Sequence, residues 1–268
     1  VGDKGNYGVE YVLRDVLEGR DGKARRQRIA RGFYGRVVGG DNSEPEDGLD
    51  VVTTLDLEMQ DVADRALRRQ LEAQNALWGT ALVMEVATGD LLAMANLSRT
   101  KSGAYAEVKN HALSSRMEPG STFKLAALLA LVDDAGMSLD ETFDTGNGAR
   151  VKVGRTTVQD SHGLPPLNLK DAVAHSSNVF FARAVYETYK DDPERYVDYL
   201  RHLHLDRTVG LEEFGAVAPI FPAPGMKIWY PDVSIVNMGY GYAIELTPLH
   251  TLTLYNAVAN DGCMVAPR

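Results

Sequence analysis

The sequence EPGSTFKLAALLALVDDAG, residues 118–136, combines a helix signal with a pair of chemically reactive side chains. Its Pro119–Gly120 step breaks the preceding element. The apolar residues after this break recur at three- and four-residue steps, which predicts a helix that ends at Gly136. The predicted buried stripe of this helix is Leu125, Leu128, Leu129 and Val132. The stretch therefore predicts a helix that begins with Ser121, directly after a chain break.

Ser121 and Lys124 have the spacing of a nucleophile and its base. A serine hydroxyl is a weak nucleophile until a neighbouring base removes its proton, and residues three apart on a helix lie on one face. Burial and the positive potential of a helix N-terminus lower the pKa of a lysine, so that its amine can accept a proton. The free N–H groups of the first turn can also hold an oxyanion.

A second Ser-x-x-Lys sequence, SRTK at Ser98–Lys101, has the same spacing. Roughly one such match is expected by chance in a chain of this length, so the context has to decide. SRTK follows a predicted strand and leads into SGAYAEVKN, which has no apolar periodicity to bury the lysine. We therefore assign the chemistry to Ser121 and Lys124.

The sequence HSSN, His175–Asn178, is a polar break between two helical stretches. A hydroxyl at Ser176 could relay a proton there, and the amide of Asn178 could hold a substrate carbonyl. The alternative is that the serine and asparagine cap the helix VFFARAVYETY, and these residues taken alone favour that alternative.

Three further elements follow from periodicity. Residues 53–74 predict an amphipathic helix capped by Asp56. Its apolar positions are Met59, Val62, Ala63, Ala66, Leu67 and Leu71. Residues 79–97 predict a β-hairpin, and its nearly continuous apolar runs predict that helices cover both of its faces. Residues 246–262 predict a last helix, with Thr247 as its cap.

Composition places the chain among globular proteins and excludes several classes. Of its 268 residues 44% are hydrophobic, and the net charge is −9. This charge argues against a general binder of nucleic acid or of anionic membranes. The basic cluster Arg20–Arg36 is interpreted as a solvated face rather than a phosphate-binding patch. Cys263 is the only cysteine, so no intrachain disulfide can form.

The chain is predicted to contain two parts. Residues 1–52 are Gly-rich, charged and weakly periodic, and we interpret them as a small module or extended arm with a linker. Residues 53–268 contain the periodic elements. No apolar run approaches the roughly 20 residues needed to span a bilayer, and the chain starts at Val1 without a signal-peptide pattern. We therefore expect a piece of a longer protein, with any membrane anchor outside this chain.

EPGSTFK at 118–124, SSN at 176–178 and the hairpin before them together resemble the active-site signature of the class B penicillin-binding proteins. These proteins are the peptidoglycan D,D-transpeptidases of the bacterial envelope. The resemblance covers nearly the whole chain, including DGLDVVTTLDLEMQDVADRAL and the stretch MGYGYAIELTPLHTLTLYNAVANDGCMVAPR. It implies an α+β fold shared with serine β-lactamases, in which helices pack on an antiparallel sheet. Residues 1–52 are then the end of an N-terminal pedestal module, and residues 53–268 belong to the transpeptidase domain.

The resemblance also implies a role for each site residue. Ser121 attacks the penultimate D-alanine carbonyl of a stem peptide and becomes acylated, and Lys124 accepts its proton. Ser176 helps to pass a proton to the departing D-alanine, and Asn178 contacts the donor peptide. The amine of a neighbouring stem peptide then resolves the acyl-enzyme, whereas β-lactams acylate the same serine.

The family implies a setting as well as a mechanism. The reaction needs no metal and no organic cofactor, and nucleic acid is not among the expected partners. Other cell-wall synthesis proteins are expected partners. The expected location is the periplasmic, extracytoplasmic face of the inner membrane.

The sequence departs from the family pattern in one respect. The family carries Lys-Thr/Ser-Gly on a strand downstream of S-x-N, where the lysine anchors the substrate carboxylate and a nearby N–H completes the oxyanion hole. No match follows Asn178, and Lys101–Ser102–Gly103 is interpreted as a coincidence because it precedes the nucleophile. We therefore expect a transpeptidase domain without its C-terminal strands, an incomplete central sheet, and a chain that is inactive or severely impaired on its own.

Two other functions stay open. A D,D-carboxypeptidase or serine β-lactamase uses water in place of the acceptor amine, although the pedestal-like segment argues against both enzymes. A non-catalytic β-lactam sensor or scaffold is the other alternative, and such a protein is acylated without turnover or not at all.

Other polar residues are weaker candidates. His202 and His204 could ligate a metal, but no third ligand has a suitable spacing, so a solvated surface is the better interpretation. Gly239–Gly241 lacks the lysine that follows in a phosphate-binding loop. Asp160 and His162 could neighbour the site, and neither is assigned a role.

Overall fold

The computed structural model describes residues 8–23, 26–36 and 43–268. The chain divides into two compact units, Val1–Thr53 and Thr54–Arg268. Three parts of the predicted first module lie outside the described residues, namely 1–7, 24–25 and 37–42. Of these, residues 24–25 belong to the basic cluster.

The first unit contains two short helices and a hairpin. Its elements are α1 (Gly8–Val12), α2 (Arg14–Leu17), β1 (Arg26–Ala30) and β2 (Phe33–Arg36). The two strands pair antiparallel, and Gly32 turns the chain between them with φ +90°. The described side chains of the basic cluster at Arg20, Lys23 and Arg31 are exposed.

The second unit combines helices with short antiparallel sheets. The helices are α3 (Leu57–Gln74), α4 (His111–Ser114), α5 (Lys124–Leu129), α6 (Leu169–Ala174), α7 (Asn178–Tyr189), α8 (Pro193–His202), α9 (Ser234–Met238) and α10 (Pro248–Ala259). The strands are β3 (Trp78–Met84), β4 (Leu91–Arg99), β5 (Tyr105–Ala106), β6 (Thr142–Phe143), β7 (Val151–Val153), β8 (Thr156–Val158) and β9 (Leu167–Asn168). β3, β4 and β5 form a three-stranded sheet in that order, while β6 pairs with β9 and β7 with β8.

Helix α3 and the β3–β4 hairpin form where the sequence predicts them. The Asp56 carboxylate caps α3 by accepting the Met59 N–H at 2.9 Å. Asn75 ends the helix in the left-handed region, with φ 48°. The apolar stripe of α3 is buried at Ala63 and Leu71, whereas Met59 is exposed.

Helices cover both faces of the hairpin, as predicted. On one face Ala63 of α3 packs with alanines of β4, and these small side chains let the helix approach the sheet closely. The other face carries a cluster formed by Leu91 of β4, Leu113 of α4 and Leu249 of α10. The hairpin is therefore the middle layer between α3 and the α4–α10 pair.

The helix predicted after residue 120 forms in three segments. A 3₁₀ turn, Gly120–Phe123, leads into α5, and a π-helical turn, Ala130–Asp134, follows. Gly136 ends the helix with φ +67°. The predicted buried stripe is only partly correct, because Leu125, Leu128 and Leu129 are half-buried against the core whereas Val132 is exposed. The buried residues are Phe123, Lys124, Ala126, Ala127, Ala130 and Leu131.

The principal core surrounds α7. Its Phe180 and Phe181 rings are fully buried and share one apolar cluster with the alanines of α5. The large side chains of α7 thus fill the space that the alanines leave, which explains the position of the buried face on α5. In the described part of the chain, no helix is both long enough and apolar enough to cross a membrane.

Helix α10 begins and ends as predicted. Thr247 precedes it, although its hydroxyl bonds to the His250 ring at 2.7 Å rather than to a backbone N–H. Gly262 follows the helix with φ +83°, and its N–H donates to the Ala257 carbonyl at 2.8 Å.

The hairpin layer can be tested by a matched pair of leucine truncations. Leu113 is 1% exposed and Leu57 is 84% exposed. We expect Leu113→Ala to lower the free energy of unfolding by about 2–5 kcal/mol, because it leaves a cavity between the sheet and α10. Leu57→Ala serves as the control and should change it by less than about 0.5 kcal/mol. Equilibrium urea unfolding measures both values, and equal effects would contradict this packing.

Candidate active site

Ser121 lies on the 3₁₀ turn that opens the α5 segment, and its side chain is exposed. The preceding turn is held by residues 241–246. The Gly120 N–H donates to the Gly241 carbonyl at 2.9 Å, and Met117 pairs with Leu246 as a β-bridge. The Glu118 carboxylate accepts the Ala243 N–H at 3.0 Å.

Gly241 can only be glycine at this contact. Its φ is +92°, and a Cβ atom would lie 1.9 Å from the Gly120 carbonyl oxygen. Gly241, the last residue of a sequence unconvincing as a phosphate loop, thus holds the turn that presents Ser121.

Lys124 is the centre of the site. Its side chain is buried, with 5% exposure, and its amine reaches four oxygen atoms from two parts of the chain. The Nζ atom lies 3.2 Å from Ser121 Oγ and 3.0 Å from Ser176 Oγ. It donates to the Ser176 carbonyl at 2.5 Å and to Asn178 Oδ1 at 2.7 Å. The structure therefore brings together all four residues singled out from the sequence.

The contacts of Lys124 determine what its neutral amine can do. A carbonyl and an amide oxygen only accept hydrogen bonds, so the contacts to Ser176 O and Asn178 Oδ1 use two N–H groups. A neutral amine has two N–H groups and one lone pair. Its lone pair is then left for the hydroxyls of Ser121 and Ser176, which can both donate a proton. The arrangement suits proton transfer from an accessible serine to a buried amine.

Burial lowers the pKa of the Lys124 amine to about 8, because the ammonium form loses its hydration. The carboxylate of Asp160 opposes this change by attracting the positive charge. A fraction of the amine, on the order of a tenth at pH 7, is then neutral and can act as a general base.

Ser176 occupies an unusual backbone conformation at the junction of α6 and α7. Its φ is 52°, in the left-handed region that glycine usually fills at a helix end. The Ser177 N–H donates to Ala172 O at 3.0 Å and the Ser176 N–H to Val173 O at 3.1 Å, which is the Schellman pattern. The hydroxyl that a glycine would lack is the one that contacts Lys124.

Ser177, and not Ser176 or Asn178, caps α7. Its hydroxyl accepts the Phe180 N–H at 3.0 Å. The capping alternative therefore applies to the middle residue of SSN, while the residues on either side contact Lys124. Ser176 is exposed and Asn178 is half-buried at the entrance to the site.

Asp160 is the residue whose importance the sequence did not reveal. Its carboxylate is buried and accepts two hydrogen bonds from the SSN segment and a third from the Val179 N–H. An aspartate that precedes a helix by many residues gives no periodic signal, so only the fold identifies it. His162, also considered from the sequence, is exposed, and its ring lies 6.4 Å from that of His175.

The second Ser-x-x-Lys sequence does not form a comparable pair. Ser98 Oγ bonds to His111 Nε2 at 2.7 Å, and Lys101 is exposed in the turn after β4. Lys101–Ser102–Gly103 lies in the same exposed turn. Among the described residues, no group of three or more His, Cys, Asp or Glu side chains is arranged to hold a metal ion.

Comparison with known proteins gives a consistent family assignment. The family model for the penicillin binding protein transpeptidase domain matches residues 79–268. A probable peptidoglycan D,D-transpeptidase, PenA of Neisseria meningitidis, is 27% identical over 98% of this chain and 45% of its own length. Penicillin-binding protein PbpB of Mycobacterium tuberculosis is 30% identical over 98% of this chain and 39% of its own length.

Solved structures agree with this assignment. Apo penicillin binding protein 3 of Mycobacterium tuberculosis superposes with a TM-score of 0.79 at 28% identity, over 99% of this chain and 56% of that one. The same protein complexed with ampicillin gives a TM-score of 0.78. The predicted α+β transpeptidase fold is thus confirmed, and the chain spans about half the length of the curated relatives it matches.

The buried amine can be tested by the pH dependence of stability. Between pH 8 and 10.5 the folded state has lost the Lys124 proton that the unfolded state still holds. The free energy of unfolding of the wild type minus that of Lys124→Met should therefore rise with pH across this interval. It should be constant below pH 7, where both states hold the proton. Urea unfolding at several pH values measures the difference, and a flat profile to pH 10.5 would be inconsistent with a neutral folded amine.

Proposed function

The chain belongs to the penicillin-binding protein transpeptidase family, and on this premise we propose that it carries the acyl-transfer residues of a class B peptidoglycan D,D-transpeptidase. Ser121 is the nucleophile, Lys124 its base, Ser176 a proton relay, and Asn178 a contact for the donor peptide. The observation that carries the proposal is the buried Lys124 amine, which lies within hydrogen-bond distance of both serine hydroxyls.

Acylation begins with the neutral form of Lys124. Its lone pair accepts the Ser121 proton while Ser121 Oγ attacks the carbonyl carbon of the penultimate D-alanine of a stem peptide. The oxyanion of the tetrahedral intermediate lies near the first turn of the helix, where the helix dipole is positive. When the C–N bond breaks, the proton moves from Lys124 through the Ser176 hydroxyl to the nitrogen of the leaving D-alanine. An ester between the peptide and Ser121 remains, and Lys124 is neutral again.

Resolution of the ester uses the same groups in the opposite order. An amine of a neighbouring stem peptide attacks the ester carbonyl and transfers its proton through Ser176 to Lys124. The ester C–O bond breaks, Lys124 returns the proton to Ser121, and an amide cross-link is released. A β-lactam acylates Ser121 in the same first step, and no metal or organic cofactor takes part in either reaction.

The proposed reaction fixes the setting of the protein. Stem peptides occur outside the cytoplasmic membrane, so the chain works on the extracytoplasmic side, with other cell-wall synthesis proteins as partners. Residues 179–268 contain no Lys-Thr/Ser-Gly sequence. The anchor for the substrate carboxylate and one oxyanion donor are therefore not supplied by this part of the sequence.

The nucleophile can be identified with two serine variants of the natural full-length protein. Ser121→Ala should abolish covalent labelling by a fluorescent penicillin, because in the proposed mechanism the Ser121 hydroxyl attacks the β-lactam and the Ser176 hydroxyl only relays a proton. Ser98→Ala, the serine of the second Ser-x-x-Lys sequence, is the matched control and should label as the wild type does. Gel fluorescence and peptide mass spectrometry give the extent and the position of labelling. Labelling that survives in Ser121→Ala would refute the assignment.

The 268-residue chain expressed alone should react with the same penicillin slowly or not at all. Loss of one oxyanion donor alone lowers a rate by on the order of 10²–10³-fold, and the carboxylate anchor is missing as well. Circular dichroism has to show that the chain is folded, and a complete class B penicillin-binding protein provides the positive control. Stoichiometric labelling of the folded chain within the same time would show that residues 1–268 suffice.

A further inference from the structure

Asp160 is a buried carboxylate that the proposed reaction does not use. It is 6% exposed, and both of its oxygen atoms are bonded to the SSN segment. Oδ1 accepts the Asn178 N–H at 2.5 Å and the Val179 N–H at 3.2 Å. Oδ2 accepts the Ser177 hydroxyl at 2.8 Å. These contacts place a negative charge at the N-terminus of α7, where the helix dipole favours it.

The SSN segment is held from two sides. Ser176 and Asn178 face Lys124, whereas Ser177 between them faces Asp160. Ser176 adopts the left-handed conformation, which costs a non-glycine residue on the order of 1 kcal/mol and persists only where neighbouring contacts enforce it. Asp160 binds the backbone of the two residues that follow Ser177. Without these hydrogen bonds, the first turn of α7 is no longer held in the position that directs the Ser176 and Asn178 side chains toward Lys124.

We propose that Asp160 is a positioning residue for acylation, whose carboxylate fixes the first turn of α7 so that Ser176 and Asn178 meet the Lys124 amine. The proposal rests on the proposed function of the same site. Asp160 acts through Ser177 and the backbone of α7 and touches no reacting atom.

Asp160 has a second, opposing effect on Lys124. Its charge stabilises the ammonium form and raises the pKa that burial lowers. Removal of the charge therefore makes more of the amine neutral at a given pH, while loss of the hydrogen bonds disorders the residues around it. Other titratable side chains on elements near the site include Glu118, His162, His175, Tyr240 and Tyr255, whose hydroxyl donates to the Thr122 carbonyl at 3.0 Å.

Three variants of the natural full-length protein separate these effects. Asp160→Asn removes the negative charge and weakens the hydrogen bonds to the first turn of α7. Ser177→Ala removes one of these hydrogen bonds but keeps the charge. Asp171→Asn makes the same chemical change at an exposed carboxylate of α6 and is the matched control. The rate constant of acylation by a fluorescent penicillin is measured at saturation from pH 5 to 10, together with the concentration for half-saturation. The measurements are repeated with His162→Gln and His175→Gln present, so that these imidazoles do not contribute to the profile.

For Asp160→Asn we expect a maximal acylation rate lower by on the order of 10²-fold, because small misplacements of reacting groups have effects of this size. The half-saturating concentration should change little. The acidic limb of the profile, which reports deprotonation of the Lys124 amine, should move to lower pH than in the wild type, because the Asp160 charge raises the pKa of that amine. Ser177→Ala should lower the maximal rate without moving the limb, and Asp171→Asn should match the wild type.

The proposal is overturned if folded Asp160→Asn acylates at the wild-type rate. It is also overturned if the acylation rate falls only in proportion to the amount of folded protein and the acidic limb of the pH profile does not move. If Asp160→Asn does not fold, Ser177→Ala decides, and a wild-type rate in that variant overturns the proposal. Failure of the wild type to acylate at Ser121 is a different result, because it refutes the proposed function itself.

Discussion

The site depends on the burial of one amine. Lys124 leaves water for a pocket whose nearest groups are oxygen acceptors, and the loss of hydration lowers its pKa to about 8. Two of these acceptors, Ser176 O and Asn178 Oδ1, cannot donate a proton, so they fix the N–H groups of the neutral amine. The lone pair is then left for the hydroxyls of the two serines, which lie 3.2 and 3.0 Å from the amine. Basicity and orientation thus have one structural cause.

The fold builds the surroundings of the Lys124 amine from segments that are far apart in sequence. The turn before Ser121 is held by the close approach of Gly120 to Gly241, which allows no side chain at residue 241. The SSN segment is held by the end of α6 on one side and by Asp160 on the other. The helical core around α7 joins these parts, and its fully buried aromatic rings resist displacement because a dense core has little space to yield. A rigid core is therefore a condition of the chemistry as well as of stability.

The sequence predicts those features that arise from local preferences. The cap at Asp56, the hairpin around β3 and β4 and the start of α10 at Thr247 each depend on a few adjacent residues, and all three are present. The leucines predicted as the buried stripe of α5 are only half-buried, because the alanines of α5 face the aromatic side chains of α7, a long-range contact with no local signature. The β7–β8 hairpin is missed because each strand has only three residues. The contact of Asp160 with SSN is also long-range, because it forms only when the fold brings residue 160 to the start of α7. The sequence therefore does not reveal Asp160 as a partner of SSN.

The two Ser-x-x-Lys sequences show why a motif needs its environment. In both, a serine precedes a lysine by three residues. Ser98 lies within the last residues of β4 and bonds to His111, and Lys101 is exposed in the turn that follows. Ser121 starts a helix whose next turn is buried, so the chain that exposes the hydroxyl also carries the amine into the core. An exposed nucleophile beside a buried base requires a boundary between solvent and core within a single helical turn. The Pro119–Gly120 break and the apolar run after Lys124 create that boundary, and the strand and turn at residues 98–101 do not.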